Sequence, residues 1–222
     1  MKVSERLYNS AIGLWRKNLE HPFVRGMADG TLPLEKFRFF IVQDHLYLMQ
    51  YVKVLAIGLL KATNEEDMRH FSAAIRANLD TENEVHRNYL KRLGITREMI
   101  DSAVPSIVTD SYTHFMIATA EKGGLPEIMA AVLACSWSYQ IMGDWLATIP
   151  GAAEQPYYGE WVEMYLSEGF HRANQKLIDM TDRFCANCTE EQLRNLEHIV
   201  DVCSQYEYMF WDMAWNEKER EI

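Results

Sequence analysis

The chain has 222 residues, 48% of them hydrophobic and 24% charged, with a formal net charge of -10 at pH 7. That length supports one sizeable core, since domains commonly run to about 100–200 residues, and 11 Gly and 6 Pro leave little material for long irregular segments. The acidic balance and the lack of clustered Lys and Arg exclude a nucleic-acid-binding reading, because neutralising phosphates requires such a patch.

In chain order, helical periodicity runs through nearly everything, and no segment alternates with period two between hairpin turns. The fold class is all-α. A first helix is expected over about 4–19, with Ser4 at its start, before His21-Pro22 breaks it. A short helix follows and stops near Gly30. After Pro33 a long helix over about 34–62 carries Phe37, Phe40, Ile41, Asp44, Leu48 and Tyr51 on one side. The next is read as one helix over 64–92, opening at the cap-like Thr63-Asn64 and closing at Leu93-Gly94. A short helix after Thr96 ends before Pro105, and another runs from Ser106 to Lys122, closed by Gly123-Gly124. Pro126 sits near the start of a helix reaching Ala147, and Pro150-Gly151 breaks the pattern. Two more are expected, over 156–180 and from Thr189 to near Glu221, the second opening on a Thr189-x-x-Gln192 capping box. With short breaks and no linker or repeat, the reading is a single domain over 1–222.

No basic, apolar and small-residue leader opens the chain, so a cytoplasmic protein is expected. The longest apolar run, Ile128 to Cys135, is far shorter than the roughly 20 residues that cross a bilayer. No membrane partner is expected. Cys135, Cys185, Cys188 and Cys203 are read as reduced thiols rather than a disulfide framework.

Chemistry is suggested by polar groups embedded in apolar stripes. Asp44 and Tyr47 share a helix face, Cys135 precedes Tyr139 by one turn, and Glu207 lies among aromatic residues with Phe210 and Trp211. Tyrosines are routinely buried with one hydrogen bond. Buried carboxylates are different, since Asp and Glu are almost never buried unpaired and require an ion pair or a function. Metal readings are weaker: Glu168-x-x-His171 is a single motif where a di-iron site needs two. Glu66/His70 and Glu82/His86 lie on a charged helix, and Cys185-x-x-Cys188 with Cys203 cannot close a four-ligand zinc site. No nucleotide loop motif is present. The expectation is no metal and no cofactor.

Several ordered segments together resemble the TenA family, the thiaminase II or aminopyrimidine aminohydrolase group. They are HPFVRGMADGTLPLEKFRFFIVQDHLYL, Ser111-Tyr112-Thr113, Cys135-Ser136-Trp137-Ser138-Tyr139, Glu160 to Tyr165, and YEYMFWDMAW around Glu207. Cys135 places the likeness with the cysteine-containing branch. The resemblance implies a haem oxygenase-like helical bundle, a homotetramer, and a small-molecule substrate built on 4-amino-2-methylpyrimidine, either the 5-aminomethyl compound or thiamin itself. Water displaces the group on the 5-methylene, giving the hydroxymethylpyrimidine that feeds thiamin salvage. On that reading Cys135 adds to the ring, Glu207 exchanges a proton with a ring nitrogen, and Asp44 accepts from the amino-pyrimidine edge. Tyr47, Tyr112, Tyr139, Tyr165 and Phe210 supply walls and hydroxyls. Two rival readings keep the same bundle: an oxidising relative holding haem, a quinone precursor or di-iron, and a non-enzymatic regulatory partner.

Overall fold

The computed structural model describes residues 1–79 and 83–217, apart from the side chains of 83–86 and 89. Among the described residues the regular structure is helical: α1 (Val3–Glu20), α2 (Pro22–Asp29), α3 (Leu34–Lys61), α4 (Glu65–Ala77), α5 (Asn83–Arg92), α6 (Arg97–Ser102), α7 (Ile107–Lys122), α8 (Leu125–Leu146), α9 (Gly159–Leu166), α10 (Glu168–Phe184) and α11 (Glu190–Asn216). The residues form two compact units.

The first unit joins 1–32 to 126–212. His21 separates α1 from α2 by taking extended backbone at φ -63°, ψ 135°, and its Nδ1 accepts from the Phe23 N–H at 3.1 Å. The residue that breaks one helix therefore caps the next. Gly30, at φ 78°, ends α2 in the left-handed region. Ser4 lies in the first turn of α1, and its N–H and hydroxyl both donate to the Asp182 carboxylate of α10 at 2.8 and 2.9 Å. Arg6 then forks onto Glu190 and Glu197 of α11.

The single helix expected over 156–180 is two helices. Ser167 adopts extended backbone (φ -64°, ψ 141°), and its hydroxyl accepts from Phe170 N–H, starting α10 afresh. A serine cap makes this break without proline, and Gly159 rather than Pro156 opens α9. At α11 the capping box forms as expected, with Thr189 N–H donating to Gln192 Oε1 at 2.7 Å and Gln192 N–H to Thr189 Oγ1 at 3.3 Å.

The second unit comprises 33–125 with 213–222, of which 80–82 and 218–222 lie outside the described residues. Its axis is α3, which packs chiefly on α7 and α4. Asn64 Oδ1 accepts from Asp67 N–H and starts α4, while Gly94 at φ 69° lets Ile95 N–H reach back to Leu90 O at 2.8 Å and close α5. Gln43 fastens α3 to the start of α7: its Oε1 accepts from Ser106 N–H and Thr109 Oγ1, and its Nε2 donates to Val104 O. Sequence reading passed over this buried amide. No described helix is long and apolar enough to cross a membrane.

Candidate active site

In the first unit the site is built on α8. Its buried run Ile128–Ala134 includes Ala130, Ala131 and Ala134, and then Cys135 emerges only partly covered. One turn later the Tyr139 ring meets Tyr165 of α9 at 4.9 Å, Trp161 at 6.0 Å and Trp211 of α11 at 5.7 Å. Trp161 in turn lies 4.6 Å from Tyr165 and 6.4 Å from Trp211. Such ring pairs contribute about 0.5–1.5 kcal/mol each beyond their buried area, enough to hold this wall rigid. Gly143 permits the approach of α9, since a Cβ there would stand 3.1 Å from the Tyr165 carbonyl oxygen and Cβ.

Glu207 is buried, as is Phe210 on the same helix. One turn before Glu207 lies Cys203, fully buried; desolvation chiefly, and the charge of Glu207 secondarily, push its thiol well above the ordinary range. Cys203 is therefore held as an inert thiol. Cys135, by contrast, is partly exposed. Cys135 and Glu207 each sit one helical turn ahead of a member of the Tyr139–Trp211 pair.

Behind Cys135 runs a polar brace. Ser138 Oγ donates to the Cys135 carbonyl at 2.8 Å, Ser136 Oγ donates to Asn174 Oδ1 at 2.8 Å, and Asn174 Nδ2 donates to Gln140 Oε1. Asn174 thus binds both ends of the α8 turn that follows Cys135. The Trp15 indole, packed 5.8 Å from Trp137, donates to Ser204 Oγ at 2.8 Å and ties α1 to α11. His21 Nε2 lies 3.2 Å from Asp212 Oδ1, and burial lowers the imidazole pKa below its ordinary value despite that carboxylate.

In the second unit Asp44 is 6% exposed, Tyr47 4% and Tyr112 1%. A carboxylate so enclosed is what the apolar stripe of α3 indicated. The rings of Tyr47 and Tyr112 lie 5.2 Å apart, Tyr47 and Tyr51 5.8 Å apart, and Tyr47 OH donates to Met116 Sδ at 3.5 Å. Each unit therefore carries a buried carboxylate and tyrosine rings packed at a tilt. Within the units, Tyr139 meets Tyr165 and Tyr47 meets Tyr112. Trp161 and Trp211, which complete the first wall, carried no marked role in sequence; their signal is a large ring inside a quoted motif.

The metal motifs have other occupations. Glu168 pairs with Arg172 at 3.1 Å and His171 with Asp144 at 3.4 Å, while the His70 ring packs edge-on to Phe71 at 5.9 Å. Glu82/His86 lies outside the described residues. Among the described residues no group of three or more His, Cys, Asp or Glu could hold a metal ion.

Among the described residues, helical construction, a partly exposed thiol, a buried carboxylate and packed aromatic rings define the class of scaffold as a helical one. The chain belongs to the TENA/THI-4/PQQC family, whose profile matches residues 9–217. It is 40% identical to an aminopyrimidine aminohydrolase of Helicobacter pylori over 97% of this chain and 99% of the relative. It is also 40% identical to one of Halalkalibacterium halodurans over 98% and 97%, and 32% identical to one of Bacillus subtilis over 98% and 92%. Among solved structures it resembles a TenA homologue protein from P. horikoshii, with TM-score 0.89 and 31% identity over 98% of this chain and 100% of the other. The fold is thus the haem oxygenase-like helical one that the resemblance implied.

Proposed function

We propose that this chain is an aminopyrimidine aminohydrolase of thiamin salvage, releasing 4-amino-5-hydroxymethyl-2-methylpyrimidine from the 5-aminomethyl compound and from thiamin. The observation that carries the reading is 40% identity, over nearly the full length of both chains, to two proteins of that name. The reading is supported by a partly exposed Cys135 one helical turn before the Tyr139 ring, and by the burial of Glu207 in the first unit and of Asp44 in the second.

Direct displacement at the methylene is slow, but attack on the ring changes the problem. Cys135 Sγ adds as thiolate to the pyrimidine, Glu207 gives a proton to a ring nitrogen, and the ring electrons expel the amine or thiazole from the methylene. Water adds there, and departure of Cys135 restores aromaticity. Asp44 accepts from the amino-pyrimidine edge. Tyr47, Tyr112, Tyr139, Tyr165 and Phe210 flank the ring. The whole chain acts as one functional domain, a reading supported by a family match that runs through both units. It works in the cytoplasm as a homotetramer, with no nucleic acid, membrane or cofactor required.

The test is to incubate purified protein separately with thiamin and with the aminomethylpyrimidine and to follow hydroxymethylpyrimidine by chromatography. Product from at least one is expected; product from neither overturns the proposal. Glu207→Gln and Cys135→Ser should each lower turnover about 100- to 10,000-fold, the usual range for a lost acid–base or nucleophilic group. Near-normal turnover by either variant removes that residue from the mechanism.

A further inference from the structure

The Cys-x-x-Cys of the α10–α11 junction is absorbed neither by the proposed chemistry nor by a metal. Cys185 closes α10, its N–H donating to Thr181 O at 3.0 Å, and Cys188 N–H donates back to Cys185 O at 3.0 Å. That bond closes a four-residue turn, and the ends of such a turn have Cα atoms within about 7 Å. Disulfides need Cα atoms at about 4.4–6.8 Å, so the turn delivers the required approach without rebuilding either helix. Cys185 is buried at 2% exposure, whereas Cys188 is partly open.

We propose that Cys185 and Cys188 form a reversible dithiol–disulfide site, independent of Cys135, that exchanges with small-molecule disulfides. The open Cys188 attacks as thiolate, joining one sulfur of the small disulfide and releasing the other half as a thiol. Cys185 then loses its proton, attacks Cys188 Sγ and expels the second half as a thiol. Two electrons pass from the protein pair to the small disulfide, and the two protein protons leave on its two thiols.

The division of labour follows from position. Burial, then the neighbouring Cys188, with Glu127 and Asp182 adding, push the Cys185 thiol up to about 12. It also stands at the negative end of the α10 dipole. Exchange therefore begins at the partly open Cys188, and the buried Cys185 resolves the adduct.

Trypsin makes the test direct, because the peptide Phe184–Arg194 contains both cysteines and no other. Folded protein is incubated with glutathione disulfide, its free thiols are then alkylated, and the peptide is weighed. The expected product is lighter than the dithiol by two hydrogens and unalkylated, and dithiothreitol returns it to the doubly alkylated form. Cys185→Ser should trap a stable glutathione adduct on Cys188. Cys188→Ser should gain an adduct on Cys185 at least about tenfold more slowly, as a raised thiol pKa demands. A doubly alkylated wild-type peptide, or equal adduct rates in the two variants, overturns the proposal.

Discussion

Replacing Gly159 with alanine is expected to destabilise the protein, although the position is helical and alanine is the better helix former. The backbone there is ordinary, so the constraint is contact: an added Cβ would overlap the Ala153 carbonyl oxygen and stand 2.8 Å from its carbon. Both partners are backbone, and neither can rotate aside. Overpacking costs about 1–3 kcal/mol, and an unyielding carbonyl places this site at about 2–3 kcal/mol. Gly159 is the first residue of α9, where the propensity gain is small. For a chain of this length about 1 kcal/mol moves Tm by roughly 2–4 °C, so a fall of about 4–12 °C is expected by calorimetry. Gly13 supplies the opposite sign. It is exposed within α1, a Cβ there meets nothing within 4 Å, and Gly13→Ala should gain about 1 kcal/mol and raise Tm by about 2–4 °C. Since α9 also carries Trp161 and Tyr165, Gly159→Ala should raise KM for the aminomethylpyrimidine, whereas Gly13→Ala should leave it alone. A Gly159→Ala protein as stable as the parent refutes the contact argument.

Three further outcomes follow from the same contacts. Ser204→Ala strands the buried Trp15 indole N–H, costing about 1–3 kcal/mol in denaturant unfolding with turnover preserved. Gln43→Leu leaves Ser106 N–H and the Thr109 hydroxyl without their shared acceptor, so it should cost at least about 2 kcal/mol by the same measure. His21 titrates below its unfolded value because it is buried, so its stabilising contribution is complete above the unfolded pKa of about 6.5 and is lost as pH falls through the folded value. Chemical unfolding between pH 8 and 5 should show that loss, and His21→Gln should flatten it.

Local signals in the sequence carried most of the helix boundaries. Proline, glycine and capping side chains act within a few residues, so Pro33, Asn64, Thr96, Ser106, Gly123 and Thr189 mark the ends seen. Ser167 escaped because it lies inside an amphipathic stretch, where a serine reads as readily as exposed helix as it does as a cap. Ser4 marked the start of α1, but its bonds to Asp182 were not legible because that partner is remote in sequence. The same distinction applies to the candidate site. Asp44 and Glu207 stood out as carboxylates on apolar stripes, and both are enclosed. Gln43, Asn174 and Ser204 did not stand out, since an amide or hydroxyl reveals its importance only when the partner it satisfies is known.

Five ring pairs among Tyr139, Trp161, Tyr165 and Trp211 stand 4.6–6.4 Å apart. Chromophores held so closely share their electronic transitions, which gives this protein an intrinsic optical signature in near-ultraviolet circular dichroism. A flat pyrimidine seated against that wall joins the coupled set and alters the band. On the proposed reading, binding of the aminopyrimidine should therefore be visible as a change in that band in the unlabelled protein, without following any turnover.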